Sequence, residues 1–224
     1  MIVTSEKLKN LFLNITTNVF KITNGFDYIN KETNLDKKFS ISHVGSLYPE
    51  RNPKFLWDVL EELFDGSLFS DLQINFIGNT SEKIKKELSK RKFKKSIKFY
   101  DYVDYNKATE LMCSSQVLLM VEVNDEESSY AIPGKLFDYL NSKRPIISIG
   151  PTDSEVAQIL NNTASGKFFN YHEVHSLKSH IKKLYDRFKN GSNNSNTNQS
   201  IENYNRKNLT KELSEIIGLV TGKS

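Results

Sequence analysis

The sequence is poor in cysteine, in long apolar runs and in net charge, and each shortage removes a class of protein. Cys113 is the one cysteine among 224 residues, which excludes an internal disulfide framework. No apolar run approaches the ~18 residues that a membrane-spanning helix needs. The opening residues, MIVTSE, lack the basic and apolar regions of a signal peptide. The 31 Lys and Arg against 27 Asp and Glu leave a net charge of +4, which permits an anionic ligand or surface without requiring one.

The remaining composition is typical of a folded protein, and the single cysteine fits a reducing compartment as well as a secreted protein without disulfides. Apolar residues make up 38% of the chain and aromatic residues 11%, which excludes a wholly disordered or collagen-like protein. At roughly 100–200 residues per domain, the length indicates one large domain, or one domain and part of another.

From Phe39 onward, short apolar segments alternate with amphipathic helical patterns. This alternation indicates βαβ crossovers and a parallel sheet. The run QVLLMV at 116–121 is typical of a strand buried on both faces. We therefore predict an α/β fold with a doubly wound parallel sheet and helices on both faces. The predicted strands are 39–44, 72–77, 97–100, 116–121, 145–149 and 166–169, and the predicted helices include 81–92 and one at 154–160 capped by Asp153.

The segments outside this sheet divide the chain into five parts. Residues 1–27 are predicted to form a strand, a helix and a strand, and 28–38 are polar without a period, as in a linker. The sheet domain covers 39–189. Asn and Ser dominate 190–207, which predicts a flexible tether. The pattern at 208–224 predicts an amphipathic helix, which must dock against another part of the protein.

The loop that follows the first predicted strand carries a candidate phosphate site. Ligands of open parallel sheets bind beyond the carboxyl ends of the strands. Gly45 and Ser46 stand at that end, where a glycine lets a ligand approach the backbone. Arg51 and Lys54 follow beside a helix N-terminus, where anions are favoured. The alternative is an exposed basic pair without a ligand.

A second candidate lies where the helix at 134–142 begins. Gly134 permits close approach, Lys135 adds positive charge, and Asp138 lies one turn further along the same helix. A carboxylate in that place can accept hydrogen bonds from both hydroxyls of a ribose. The alternative is an ordinary helix start with a solvated Asp138. Neither of the usual glycine-rich nucleotide fingerprints is present.

Two further loops carry weaker signals. Tyr102 and Val103 follow the third predicted strand, where an aromatic ring and backbone amides suit a nucleotide base. The acidic loop 125–130 offers carboxylates for a metal or for sugar hydroxyls, but a solvated loop is the simpler interpretation, and we predict no metal site.

The segment Lys83–Lys98 holds nine basic residues and one acid. Such a run suits anionic lipid. No nucleic-acid motif accompanies it, so we expect no nucleic-acid partner. The alternative is a solvated helix face, because apolar residues interrupt the run at helical spacing.

Four stretches in a fixed order resemble a known family. HVGSLYPERNPKFLWDVLEEL, INFIG, KFYDYVDYNKATELMCSSQVLLM and IPGKLFDYLNSKRPIISIGPTDSEVAQIL are similar to successive strand–helix units in the C-terminal, donor-binding domain of GT-B glycosyltransferases. The resemblance is to the retaining, group 1 or family-four-like members. The opening MIVTSEKLKNLF resembles the end of their N-terminal acceptor domain, so residues 1–27 would be a remnant of that domain.

The resemblance implies a role for each candidate residue. Asp138 matches an acid that holds the ribose, and Gly134 and Lys135 lie near the diphosphate. Arg51 and Lys54 match a basic clamp on the leaving diphosphate, with Gly45 and Ser46 beside it. Tyr102 and Val103 match the loop that borders the base. The chain departs from the family pattern at Tyr130, where a glutamate is usual, and at Ser46, where an arginine is frequent.

The expected function is transfer of a sugar from a UDP- or GDP-sugar to a cell-surface polysaccharide or glycolipid, with no cofactor. The acceptor half is almost wholly missing from the 224 residues, so we expect the chain to need an acceptor domain or partner chain. The expected location is cytoplasmic, peripheral to the inner face of the membrane if Lys83–Lys98 binds lipid. The alternative, suggested by Tyr130 and Ser46, is a Rossmann-like interaction module that has lost the chemistry.

Overall fold

The predicted doubly wound sheet is confirmed by the computed structural model, which describes residues 1–29, 33–125, 127–192 and 199–222. Within them, six parallel strands form one sheet in the order β5-β4-β3-β6-β7-β8. The strands are β3 (Phe39–Val44), β4 (Leu72–Ile77), β5 (Ile97–Tyr100), β6 (Val117–Val121), β7 (Ile146–Gly150) and β8 (Gly166–Asn170). Counting only these six, the order is 3-2-1-4-5-6, as in dinucleotide-binding folds.

Helices cover both faces of the sheet because its central strands are apolar on both sides. All five residues of β6 and of β7 are buried. One core contains side chains of α2 (Lys54–Leu63), α3 (Glu82–Leu88) and α7 (Val174–Lys189). The opposite core contains side chains of α4 (Tyr105–Ser114), α5 (Lys135–Asn141) and α6 (Glu155–Thr163).

Two local predictions need correction. The helix predicted over 81–92 ends at Leu88 and is followed by a 3₁₀ turn, Lys92–Ser96. That turn places Phe93, 1% exposed, in the core. The N-cap of α6 is Ser154 rather than Asp153, because the Ser154 side chain accepts a hydrogen bond from the Val156 amide.

The first residues form a small unit of their own. β1 (Ile2–Val3) and β2 (Phe20–Lys21) pair in parallel, joined by α1 (Glu6–Leu13). Ser5 Oγ donates to the Tyr130 carbonyl at 2.6 Å. The Lys7 backbone amide donates to Glu155 Oε1 at 3.0 Å. These bonds attach the unit to the sheet domain close to the start of α6.

The C-terminal helix docks on the segment that leaves this unit. The Phe26 amide donates to the Tyr204 carbonyl at 3.0 Å, and the Arg206 amide donates to the Phe26 carbonyl at 2.9 Å. Phe26 is 1% exposed. A Cβ on Gly25 would lie 2.5 Å from Leu209 Cδ1, so the close approach requires glycine there.

Parts of the predicted tether and linker lie within the described residues. The tether predicted over 190–207 includes a 3₁₀ helix, Gln199–Tyr204, and the first residues of α8 (Arg206–Thr221). This part is ordered because Ile201 is buried in the core beside α5 and α6. Residues 193–198, and 30–32 of the predicted linker 28–38, lie outside the described residues. No helix in the described part of the chain is long and apolar enough to cross a membrane.

Candidate functional site

The candidate site lies where the strand order reverses, between β3 and β6. In the described chain β3 pairs with β6 at two positions, Ile41 with Val117 and Ser42 with Leu118. By contrast, β3 and β4 pair along their whole length. The two strands therefore separate toward their carboxyl ends. Such a switch point is where open α/β sheets bind their ligands.

Two side chains fill the gap between the separating strands. The Tyr139 hydroxyl accepts from the Val44 amide at 2.8 Å and donates to the Leu119 carbonyl at 3.2 Å. His43 Nδ1 donates to the same carbonyl at 3.1 Å, since a carbonyl only accepts. Burial, with the charge of Lys135, lowers the pKa of His43 to about 3, so this imidazole is neutral at pH 7.

Four of the predicted residues line one cleft of about 470 Å³, namely Gly45, Ser46, Tyr102 and Val103. Their shared position follows from the parallel sheet, which brings the loops after β3, β4 and β5 to one edge. Tyr102 is 94% exposed, so its ring is open to a ligand. Such a ring can stack on a nucleotide base.

Glycine is required at two places in the cleft wall. Gly45 and Gly78, at the ends of β3 and β4, have φ of +107° and +112°, a region that side chains disfavour. A Cβ on Gly78 would also lie 3.0 Å from the Gly45 carbonyl oxygen. At these two positions the cleft wall therefore consists of backbone that carries no side chain of its own.

Lys135 extends from α5 to the backbone beside this cleft. Its Nζ lies 3.5 Å from the Val44 carbonyl oxygen and 3.6 Å from the position of a Cβ on Gly45. Burial and the nearby charge of Arg51 lower the pKa of Lys135 to about 8, and the charge of Glu122 acts in the opposite direction. A cation held in this way gains from an anionic ligand that restores its full charge.

Arg51 and Lys54 occupy different environments although they are close in sequence. Arg51 lies in a 3₁₀ turn, Pro49–Arg51, partly buried, and its charge acts on His43, Glu122 and Lys135. Lys54 is exposed at the first residue of α2. Among the described residues, Lys54 belongs neither to the cleft lining nor to the charges that act on Lys135. Within the described residues Arg51 is outside the cleft lining as well, so one member of the predicted basic pair is connected to the site, through its charge.

Asp138 and Gly134 flank Lys135 on α5. Burial raises the pKa of the half-buried Asp138, while the charge of Arg206 and a hydrogen bond from Tyr105 oppose the shift. Tyr105 lies one helical turn before Ala108, which lines the cleft. Because Tyr105 donates a hydrogen bond to Asp138, Asp138 lies near the rim of the cleft. Gly134 caps α5, and a Cβ there would meet no atom within 4 Å. The space beside Gly134 is therefore open.

Glu122 belongs to the site although no sequence motif marks it. This residue follows β6 directly and is 4% exposed. Burial raises the pKa of Glu122 to about 7, against the effects of a Ser154 hydrogen bond and the charges of Arg51, Lys135 and Lys7. The available signal was a charged residue at the end of the apolar run QVLLMV. In the described part of the chain, no three His, Cys, Asp or Glu side chains group as metal ligands would.

Sequence comparisons identify no relatives, whereas structural comparisons identify several. No family model matches the chain, and no curated protein does. The fold is similar to that of S. aureus TarM, solved as a point mutant in complex with Fondaparinux, alpha-GlcNAc-glycerol and UDP. The TM-score is 0.72 at 14% identity, over 96% of this chain and 43% of TarM.

Two further solved structures are similar over nearly the whole chain. The lipopolysaccharide outer core galactosyltransferase WaaB has a TM-score of 0.74 at 15% identity, over 96% of this chain and 60% of WaaB. HepE of Anabaena, in complex with UDP and glucose, has a TM-score of 0.74 at 12% identity, over 97% of this chain and 62% of HepE. The chain thus spans between 43% and 62% of these three structures. At such low identity the likeness shows the fold alone: the chain has the Rossmann-like α/β architecture of a GT-B glycosyltransferase domain.

Proposed function

We propose that this chain binds the nucleotide-diphosphate sugar donor of a glycosyltransferase in the cleft at the switch point. The observation that carries the proposal is the position of Lys135 Nζ beside Gly45, at the wall of a cleft bordered by Tyr102, with the charge of Arg51 acting on the same lysine. Two cations next to side-chain-free backbone suit a diphosphate. TarM and HepE were each solved with UDP, which supports a UDP-sugar as donor, and a GDP-sugar is the alternative.

The donor's parts divide among the predicted residues. The base stacks near Tyr102 and Val103, and the ribose hydroxyls are held by Asp138. The diphosphate lies against Lys135 and Arg51. In glycosyl transfer the departing diphosphate gains charge, so cations already in place there stabilise the transition state most. Lys54 serves as a distant positive charge rather than as a contact.

The acceptor is a cell-surface polysaccharide or glycolipid held by a separate acceptor domain. That domain packs on the apolar surface of the terminal elements, where Leu11 and Ile15 near α1 and Leu219 and Val220 of α8 are exposed. Exposed apolar side chains of this kind are typical of interaction surfaces. The isolated chain therefore binds donor without transferring sugar.

Titration calorimetry with UDP and GDP tests the proposal. Binding of one of them is expected, weakened about tenfold or more in Arg51→Ala and in Lys135→Ala, since each removes a charge-assisted contact. Lys54→Ala should change the affinity less than about threefold, and Lys189→Ala, a lysine of α7, serves as the control. Absence of heat with both nucleotides, under conditions where the protein is folded, contradicts the proposal.

A non-catalytic interaction module is the second candidate. Tyr130 stands where the family has an acid, so that position supplies no carboxylate to a sugar. The Tyr130 carbonyl instead accepts a hydrogen bond from Ser5 Oγ at 2.6 Å. Hydrolysis of sugar nucleotide by a longer protein that includes an acceptor domain distinguishes the two candidates. Activity above background excludes the interaction module, and donor binding without turnover supports it.

We further propose that the basic segment Lys83–Lys98 contacts anionic lipid and holds the protein at the cytoplasmic face of a membrane. Seven of its lysines are exposed: Lys83, Lys86, Lys90, Lys92, Lys94, Lys95 and Lys98. Arg91 is engaged instead by Asp58 and Glu61. Co-sedimentation with vesicles should require anionic lipid and weaken with salt. Binding that is equal for neutral vesicles contradicts the lipid contact.

A further inference from the structure

A buried carboxylate stands inside a site suited to an anion. Glu122 lies at the carboxyl end of β6, at the switch point, and is 4% exposed. A negative charge here opposes the binding of any diphosphate. It is also costly to bury unless its partners compensate for it.

The surrounding chain is shaped to hold this side chain. Ser154 Oγ donates to Glu122 Oε2 at 2.8 Å. A Cβ on Gly150 would lie 2.4 Å from the same oxygen, so glycine at the end of β7 makes room for the carboxylate. The backbone is fixed as well, because the Tyr171 hydroxyl donates to the Glu122 carbonyl at 2.6 Å. The carboxylate therefore has a defined position rather than a choice of rotamers in solvent.

The ionisable groups that interact electrostatically with Glu122 come from four parts of the chain. Arg51 precedes α2, Lys135 begins α5, Lys7 belongs to α1, and Tyr171 follows β8. Burial raises the pKa of Glu122 to about 7 despite the three cations. His43, which faces Lys135 and Arg51, is neutral at this pH because burial lowers its pKa.

We propose that Glu122 is the internal counter-charge of the donor site and takes up one proton from solvent when the donor's diphosphate binds beside Lys135 and Arg51. The inference rests on the proposed function. In the empty site the carboxylate partly neutralises the two cations. The diphosphate then competes for the same cations, and the carboxylate, placed next to new negative charge, binds a proton on one of its oxygens. Binding is reversible, and no other bond forms or breaks.

The coupling predicts that donor affinity depends on pH. With a pKa near 7 in the empty site, the carboxylate is mostly protonated at pH 6 and mostly ionised at pH 8. Affinity should therefore fall about tenfold from pH 6 to pH 8. Lys135 adds to the proton uptake from about pH 7 upward, since its pKa of about 8 rises when an anion binds.

Calorimetry with UDP-glucose and GDP-mannose, in buffers of different ionisation heat, measures the protons taken up. Sugar nucleotides are suitable probes because their diphosphate has no group that titrates between pH 6 and 8, unlike the terminal phosphate of UDP. The wild-type chain should take up between half and one proton at pH 7.5. Glu122→Gln, which keeps an acceptor for Ser154, should lose most of this uptake and bind more tightly than wild type at pH 8.

Glu155→Gln serves as the matched control, because Glu155 is also buried but faces the Lys7 amide. It should keep the wild-type proton uptake. Zero uptake by the wild-type chain overturns the inference without any variant, and so does equal uptake by wild type and Glu122→Gln. Failure of both sugar nucleotides to bind at pH 6 overturns the proposed function itself and this inference with it.

Discussion

The sheet domain and the terminal elements bury their apolar residues to very different extents. Five of the seven residues of α5 are buried, whereas α1 has no buried residue and α8 has only Leu209. The sheet domain therefore has a core that is complete in itself. The terminal elements are stabilised mainly by their attachment to that domain, and several of their apolar side chains stay exposed.

The largest expected effect is in the core of the sheet domain. Phe76 is fully buried between the rings of Trp57 and Phe99, at centroid distances of 5.9 Å and 5.3 Å. Phe76→Ala should lower the free energy of unfolding by about 3–5 kcal/mol, because it leaves a cavity. Urea denaturation followed by Trp57 fluorescence measures it. A loss below about 1 kcal/mol would mean that this core is not the main source of stability.

A smaller effect is expected where the terminal elements attach. Gly25→Ala places a methyl group 2.5 Å from both Leu209 Cδ1 and the Tyr204 carbonyl, which should cost about 1–3 kcal/mol of overpacking. Proteolysis within 206–222 should accelerate while donor binding is kept. Gly134→Ala, where a Cβ meets open space, is the control for stability. Equal proteolysis of wild type and Gly25→Ala would contradict the docking of α8.

The buried histidine predicts a dependence of stability on pH. The folded state holds the pKa of His43 at about 3, below its usual 6.5, so the unfolded chain binds the extra proton between these values. His43 therefore lowers stability as pH falls through 6.5. His43→Asn keeps a donor for the Leu119 carbonyl. Between pH 7 and pH 5, its free energy of unfolding should fall by about 2 kcal/mol less than that of the wild type. Urea midpoints of both proteins at the two pH values measure the difference. Equal losses of stability in the wild type and in His43→Asn would refute it.

Tyr102 should affect binding without affecting folding. Its ring is 94% exposed, so Tyr102→Ala should change the free energy of unfolding by less than about 0.5 kcal/mol. Loss of base stacking should weaken donor binding about tenfold. Tyr28→Ala, an exposed tyrosine beside the terminal elements, should leave donor binding unchanged. Wild-type affinity in Tyr102→Ala would remove the stacking contact.

The smallest effect is expected at the exposed end of α8. Leu219 is 79% exposed, so Leu219→Ser should leave the stability of this chain within about 0.5 kcal/mol. If an acceptor domain covers this surface, the same change should weaken its association with the chain. A large loss of stability in the chain alone would show that α8 packs more tightly than its exposure indicates.

A region could be predicted from the sequence where its structure depends on neighbouring residues in the chain. The bounds of β3, β4 and β5 were correct because apolar runs between polar turns identify buried strands. The end of α3 was wrong because the burial of Phe93 in a 3₁₀ turn depends on tertiary packing. The cleft was predictable because parallel strands bring Gly45 and Tyr102 to one edge. Three properties could not be predicted because each depends on burial: the exposure of Lys54, the proton affinity of Glu122 and the neutrality of His43.

The pairing of Phe26 with the chain around Asn205 has a consequence for engineering. The chain enters the sheet domain and leaves it at neighbouring points, joined by the two hydrogen bonds between Phe26 and the backbone of Tyr204 and Arg206. A domain whose two ends lie side by side tolerates circular permutation and transplantation into another protein. The segment 27–205 therefore has the properties of an exchangeable cassette, which can be moved between host proteins without re-routing the chain.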